Sequence, residues 1–256
     1  FGRTINAGLI IAIAGIIFSI CFDSFNDLIA GLRNGQGYVG YFFSNAAFGG
    51  MCTHYMLPVF TALPFSVSLC QERNNKAVSY IVSREGKNRY IFAKFIVSAI
   101  SGGFVAACGT VLLFLMLAMR FPIAGDEFEG AVVSDYFHEW SAVYYPQLYI
   151  LTLSILAFCR GVIWSSLALC VSLYTSDFMV VLLSPFLGSY VLVRIFQIIR
   201  VPDMVRPDMI LIGQVVIKSS GLTLLIAIAI SLTIVTLIGA FFVGKMKEGL
   251  KSGTIY

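Results

Sequence analysis

Long apolar stretches limit this chain to the membrane before any other feature is considered. A helix needs about 20 consecutive apolar residues to cross roughly 30 Å of hydrocarbon. Six segments qualify: residues 5–22, 46–70, 91–119, 148–174, 178–199 and 220–243. Strands of a β-barrel would instead be alternating segments of about ten residues, which these continuous runs are not. The sequence therefore predicts an all-α membrane protein with a single transmembrane domain over residues 1–256.

The composition agrees with this assignment. Of the 256 residues, 59% are hydrophobic and 12% are charged, whereas soluble proteins average about 25% charged residues. Too few polar side chains remain to cover a globule of this size. Secreted disulfide domains, nucleic-acid-binding proteins and disordered tails are therefore excluded, and membrane lipid is the expected surrounding of the chain.

The charged residues predict which side of the membrane each loop faces. Six helices place both termini on one side, and loops rich in Lys and Arg lie in the cytoplasm. With the termini inside, the interior holds Arg3, Arg73, Lys76, Arg84, Lys87, Arg89, Lys94, Lys245, Lys247 and Lys251 against Glu72, Glu85, Asp177 and Glu248. The exterior holds Arg33, Arg120, Arg200, Arg206 and Lys218 against Asp23, Asp27, Asp126, Glu127, Glu129, Asp135, Glu139, Asp203 and Asp208. We therefore expect cytoplasmic N- and C-termini, a cytoplasmic loop over 71–90 and an extracellular loop over 121–147.

Cysteine and histidine spacing does not predict a metal site. The six cysteines lie in apolar runs without a CxxC spacing, which is typical of small buried residues. Two histidines are too few for a His-rich site. A GxSxG motif is also absent, so we predict neither a bound metal nor catalytic residues in this chain.

The cytoplasmic loop carries the clearest pattern. From residue 71 to 94 it reads QERNNKAVSYIVSREGKNRYIFAK, and its apolar residues Ala77, Val78, Ile81 and Val82 recur at helical spacing. Asn74 or Asn75 is placed to cap a short amphipathic helix, and Gly86 suits the left-handed position after its end. From the residues alone, this helix either anchors the loop at lipid headgroups or contacts a partner.

A family resemblance favours a partner. The run PFSVSLCQERNNKAVSYIVSREGKNRYIFAKFIVSAISGG, residues 64–103, resembles the ABC-2 type permeases, the transmembrane subunits of bacterial ATP-binding-cassette exporters of the type V kind. In that family an acidic residue after span 2, a short helix, an Arg-Gly turn and a Tyr-x-x-x-Lys start of span 3 are familiar. A weaker likeness covers residues 160–186.

The resemblance implies that the short helix is a coupling helix, which docks onto a separate ATPase subunit. That role falls on Glu72, Arg73, Val78, Ile81, Arg84, Glu85 and Gly86. The sequence lacks a GxxxxGK[ST] phosphate loop, so ATP and Mg²⁺ are expected on the partner and the chain is not expected to be an enzyme. A second permease subunit, identical or paralogous, would complete an exporter of an amphipathic peptide, antibiotic or lipid-like cargo in the bacterial plasma membrane.

Three polar residues within spans are candidates for a substrate path. A charge inside the membrane is costly and usually faces the bundle interior. Arg160, in the middle of the fourth span, either lines the path and binds an anionic group or pairs with a polar neighbour. His54 is a second candidate, although a hydrogen-bonded core role suits it as well, and Arg194 is placed to reach the outer headgroups.

The two outer loops have different patterns. Residues 121–147 combine acidic and aromatic side chains, which suits either a surface helix that seals the outer mouth or an acidic rim for a cationic substrate. The turn that contains Arg200, Asp203, Arg206 and Asp208 is typical of salt-bridged structure.

Two other classes of function fit the sequence less well than an exporter. A self-sufficient secondary transporter or channel often has paired inverted repeats and several buried carboxylates, and neither feature is visible. An intramembrane enzyme would need a nucleophile and base at membrane depth, which the sequence does not offer.

Overall fold

A computed structural model describes residues 2–34, 39, 42, 50–122, 145–213, 215, 217 and 219–252. Regular structure in these residues is helical, without a strand, which confirms the all-α prediction. The helices are α1 (Gly2–Asp23), α2 (Phe25–Asn34), α3 (Met51–Ala62), α4 (Ser68–Asn74), α5 (Ala77–Glu85), α6 (Lys87–Ala118), α7 (Pro146–Val171), α8 (Phe178–Ile199), α9 (Pro207–Ile212) and α10 (Ser220–Ser252), with a 3₁₀ turn at Asp203–Val205.

Four of the helices are long and apolar enough to cross a membrane: α6, α7, α8 and α10. They match the predicted spans 91–119, 148–174, 178–199 and 220–243 to within a few residues, except that α10 continues to Ser252. The first predicted span, 5–22, lies within α1, which is 22 residues long.

The second predicted span, 46–70, is not one continuous helix. α3 ends at Ala62, a run of turns follows, and α4 begins at Ser68. Pro64 has no N–H to donate to the carbonyl one turn back, and the Leu63 N–H bonds to the Phe60 oxygen at 3.3 Å instead. The predicted span 46–70 is therefore interrupted, because the backbone tightens around Pro64.

Small residues let α6 and α7 approach each other closely. A Cβ added to Gly161 would lie 2.5 Å from the carbonyl oxygen of Gly102. Ser66, in the turn after α3, donates to the Ser165 carbonyl at 2.9 Å and lies 3.1 Å from the Ser98 hydroxyl. Close backbone contact and interhelical hydrogen bonds hold helices together where both are surrounded by lipid. This contact forms the centre of the bundle, with α1, α3, α8 and α10 around it.

One carboxylate joins the end of α1 to the start of α3. The Asp23 oxygens accept hydrogen bonds from the backbone N–H groups of Cys52 and Thr53, at 2.9 and 2.5 Å. The first N–H groups of a helix have no partner within the helix, and a negative charge is favourable there. Asp23 thus supplies across the bundle the cap that Gly50 does not provide.

Candidate functional site

The predicted cytoplasmic loop folds into α4 and α5, two short helices at the end of the bundle that we call the loop end. α5 packs its apolar face onto the protein itself, because Val78 and Val82 are buried. They share one buried cluster with Leu69, Tyr90, Ile91, Leu169, Phe242, Met246 and Leu250. The loop is therefore attached to α6, α7 and α10 together.

A buried ion pair fixes α4 to α6. The Lys94 Nζ lies 2.7 Å from one Glu72 oxygen, and the Tyr90 hydroxyl donates to the other oxygen at 2.5 Å. All three residues are less than 8% exposed. A charge buried in this way is tolerated when it is paired and its remaining hydrogen-bonding positions are filled. Both Glu72 oxygens have a partner here.

Polar contacts also fix α4 to the segment that directly follows α7. The Arg73 guanidinium donates to the carbonyl oxygens of Ser172 and Leu173, at 3.0 and 3.3 Å. The Asn74 side chain donates to the Ser176 carbonyl at 3.3 Å. The last carbonyls of a helix lack partners within the helix, and a cation is favourable beside them.

These contacts correct part of the predicted coupling set. Glu72 and Arg73 lie on α4 rather than α5, and their side chains bond within the chain. Val78 is 1% exposed and Ile81 is partly buried against the same cluster. The helical spacing was right, but the apolar face points inward: Glu72 and Val78 are buried, whereas Arg73 and Ile81 are partly exposed.

Of the two predicted ends of α5, the structure contradicts the first and agrees with the second. Neither Asn74 nor Asn75 caps the helix, because Lys76 precedes it in a left-handed conformation (φ 54°) and no side chain caps the N-terminus. Gly86 does have positive φ (83°) after the last turn, as expected. Gly86, Arg84 and Glu85 are exposed, so these three members of the predicted set remain accessible.

The accessible side of α5 forms a small polar surface. It consists of Ser79, Tyr80, Ser83 and Arg84, which we call the α5 face. Tyr80 is 77% exposed, unusual for an aromatic ring next to charged residues. Sequence analysis missed Tyr80, although its position two residues after the buried Val78 on a helix was a usable signal.

A cavity of about 140 Å³ lies among α3, α7, α8, α9 and α10 and brings together two predicted path residues, Arg160 and His54. Its wall is apolar apart from a few side chains, including Asp208 and Ser189. Arg194 does not line it: its side chain is exposed, bonds to Gln197 at 3.1 Å and lies 5.3 Å from the Tyr190 ring. The predicted group of three is therefore reduced to Arg160 and His54.

Arg160 has an unsatisfied side chain. Its Nε is buried without a hydrogen-bond partner, and it forms no ion pair with any residue that the structure describes. An unpaired buried polar group costs about 1–3 kcal/mol, and a charged group costs more. Arg160 therefore carries an energetic penalty that nothing in the described part of the chain offsets.

A salt-bridged turn borders the cavity at Asp208. Arg206 bonds to both Asp208 oxygens, the shorter contact being 2.7 Å, and to Asp203 at 3.3 Å. The hydrogen bond from Asp208 raises the pKa of the Arg206 guanidinium. This confirms the predicted salt bridges for Arg206, Asp203 and Asp208, whereas Arg200 lies outside them in a left-handed conformation. Asp208 is thus already paired and is not available to Arg160.

The remaining predicted features give no further site. The acidic and aromatic stretch of the 121–147 loop falls on residues 123–144, outside the described residues. Within the described ranges, the cysteines are free and no cluster of His, Cys, Asp or Glu is placed to hold a metal. No protein-family model matches the sequence, and neither a curated protein nor a solved structure matches it.

Proposed function

We propose that this chain is the permease subunit of an ATP-driven exporter, with the ATPase on separate partner subunits. The observation that carries the proposal is the loop end: α5 is held firmly by its buried side and offers an exposed polar face on the other. A helix that only anchors a loop at lipid headgroups would direct its apolar side chains outward. Those of α5, Val78 and Val82, are instead buried.

The contacts of α4 and α5 suit the transmission of force. A push on the α5 face would reach α6 through Lys94, α7 through Arg73 and α10 through the buried cluster. α6 and α7 are in close backbone contact, so they would move together. Closure of two ATPase subunits would in this way reorient the bundle, with a second permease chain, identical or paralogous, across the exporter.

The proposal includes the remaining features that the resemblance implies. The cargo is an amphipathic peptide, antibiotic or lipid-like molecule, and the location is the bacterial plasma membrane with the loop end in the cytoplasm. ATP and Mg²⁺ are bound by the partner. The clustering of Arg84, Lys87, Lys245 and other basic residues at the loop end supports this orientation.

The test compares two exposed tyrosines. The chain is purified in mild detergent from its native membrane, bound proteins are identified by mass, and ATP hydrolysis is assayed. Tyr80→Asp is expected to remove a stoichiometric ATPase from the purified complex while the chain still inserts. Tyr145→Asp is the matched control, because Tyr145 is 57% exposed and lies at the far end of α7.

Two results would contradict the proposal. One is an ATPase that stays bound to the Tyr80→Asp chain and is lost from the Tyr145→Asp chain. The other is an ATP-inert chain without a bound ATPase that moves solute in liposomes, which would favour a secondary transporter. Ile81→Asp is a poorer test, because Ile81 packs against the buried cluster and its loss would disturb folding.

A further inference from the structure

The cavity beside Arg160 carries an inference about its occupant. We propose that it binds an amphiphile with one anionic group, a carboxylate or a phosphate, which the Arg160 guanidinium holds. This deepens the proposed function by naming a class of cargo, although the binding itself requires no ATPase.

The charge of Arg160 is the first step. Arg160 has no ion pair in the described part of the chain, and its buried Nε has no partner. Asp208, the acidic residue in the cavity wall, has both oxygens bonded to Arg206. Among the described residues, the cavity therefore has one positive charge without a compensating partner. A planar guanidinium matches the geometry of carboxylate and phosphate oxygens, which makes such an anion the complementary ligand.

The walls indicate the rest of the ligand. Around Arg160 they are formed largely by aliphatic side chains, among them Leu57, Ile163, Leu192, Leu211, Ile234 and Ile238. A cavity of about 150 Å³ with such walls holds a molecule the size of benzene. The volume here, about 140 Å³, thus accommodates an anionic group with several carbons of an apolar chain. A hydrophilic anion would make no favourable contact with these apolar walls.

The position of the site suits an amphiphile within the bilayer. Arg160 is 14 residues from the start of α7 at Pro146, or about 21 Å along the helix. Intramembrane arginines are rare and usually mark a path or a ligand site. His54 and Ser189 also line the cavity and add polar atoms to its wall. Ser189 donates its hydroxyl to the Phe186 carbonyl at 2.9 Å, so its oxygen retains acceptor capacity.

Trp164 supplies a direct probe, because it lines the same cavity. The chain has two tryptophans, and Trp140→Phe leaves Trp164 as the single tryptophan, which is excited selectively at the red edge of its absorption. The full chain in nanodiscs of zwitterionic lipid is titrated with dibromostearic acid, whose bromines quench tryptophan on contact. The methyl ester of the same acid partitions similarly but has no charge. We expect saturable quenching by the acid that oleate reverses, and weak quenching by the ester.

Arginine variants then test the role of the charge. Arg160→Leu should raise the Kd of the acid at least about tenfold, the size expected for one lost charge-assisted hydrogen bond, and remove its advantage over the ester. Arg160→Lys should keep part of that advantage. Arg194→Leu is the matched control, since Arg194 is exposed and lies outside the cavity. Equal quenching by acid and ester, or an unchanged Kd in Arg160→Leu, would overturn the proposal.

Competition distinguishes the two sources of such an anion. Phosphatidylglycerol added to the nanodisc displaces the acid if a membrane lipid occupies the site. Displacement only by free amphiphiles such as oleate or lysophosphatidic acid indicates a cargo that enters as a single molecule. Because the titration contains no ATPase, it gives the same result whether or not the Tyr80 test succeeds, so the two proposals fail independently.

Discussion

Charge is buried at the loop end and in the cavity beside Arg160, and the two regions differ in how that charge is satisfied. At the loop end, Glu72 is bonded to Lys94 and Tyr90, and both of its oxygens are occupied. In the cavity, Arg160 has a buried Nε without a partner among the described residues. A satisfied buried network holds a structure in place, whereas an unsatisfied buried charge keeps its hydrogen-bonding capacity for a ligand. Stability measurements should therefore separate the two regions.

The largest expected effect is at the ion pair of the loop end. Glu72→Ala leaves Lys94 buried and unpaired, so we expect a loss of about 3–5 kcal/mol of unfolding free energy. Unfolding in mixed micelles, followed by helix content, measures it. A double variant with Glu72→Leu and Lys94→Leu should lose less than the sum of the single variants, because no lone charge remains. Strict additivity of the two substitutions would contradict the pairing.

The helix contact between the two regions should give the next largest effect. Gly161→Ala places a Cβ against the Gly102 carbonyl, and we expect a loss of about 1–3 kcal/mol from overpacking. Gly244→Ala is the control, because nothing lies within 4 Å of the added Cβ and alanine favours a helix. The same unfolding assay compares the two. An equal or larger loss in the Gly244 variant would show that helix contact is not the cause.

A smaller effect is expected where Asp23 caps α3. Asp23→Ala removes the acceptor of the Cys52 and Thr53 N–H groups, with an expected loss of about 1 kcal/mol. Asp203→Ala is the control, because the Asp203 side chain is 72% exposed and exposed ion pairs contribute less than about 1 kcal/mol. The unfolding midpoints of the two variants measure this difference in stability. If both shift equally, the cap has no special role.

The sequence predicted the bounds of the long helices but not those of the two helices within residues 46–70, for a physical reason. The span 178–199 coincides with α8 because an apolar run of that length has few alternatives in lipid. Residues 46–70 read as equally apolar, yet Pro64 and the turn around it interrupt the helix. Apolar composition indicates burial in lipid, whereas helix continuity depends on backbone hydrogen bonds that composition does not report.

For the candidate sites, the sequence predicted residues but not their partners. An amphipathic α5 followed from its spacing, but a stripe such as Val78 and Val82 fits a partner or the chain's own core equally well. Contacts with Phe242 and Met246, which lie far along the chain, make this stripe part of the chain's own core. Likewise, Arg160 was recognisable as a charge within a span, while its neighbourhood with His54 and Asp208 depends on tertiary packing.

The smallest expected effect is the one that separates the regions most clearly. Arg160→Leu removes a charge that is not paired within the described residues, and leucine, although shorter, is apolar like the aliphatic walls. We expect the unfolding free energy to stay within about 1 kcal/mol of the wild type, or to rise, because replacing an unsatisfied buried charge is often neutral or stabilising. The measurement is the same unfolding assay, in micelles free of anionic amphiphiles. Added oleate should then stabilise the wild type by mass action and leave the variant unchanged. A loss comparable to that of Glu72→Ala would instead assign Arg160 a structural partner and place both regions in the same class.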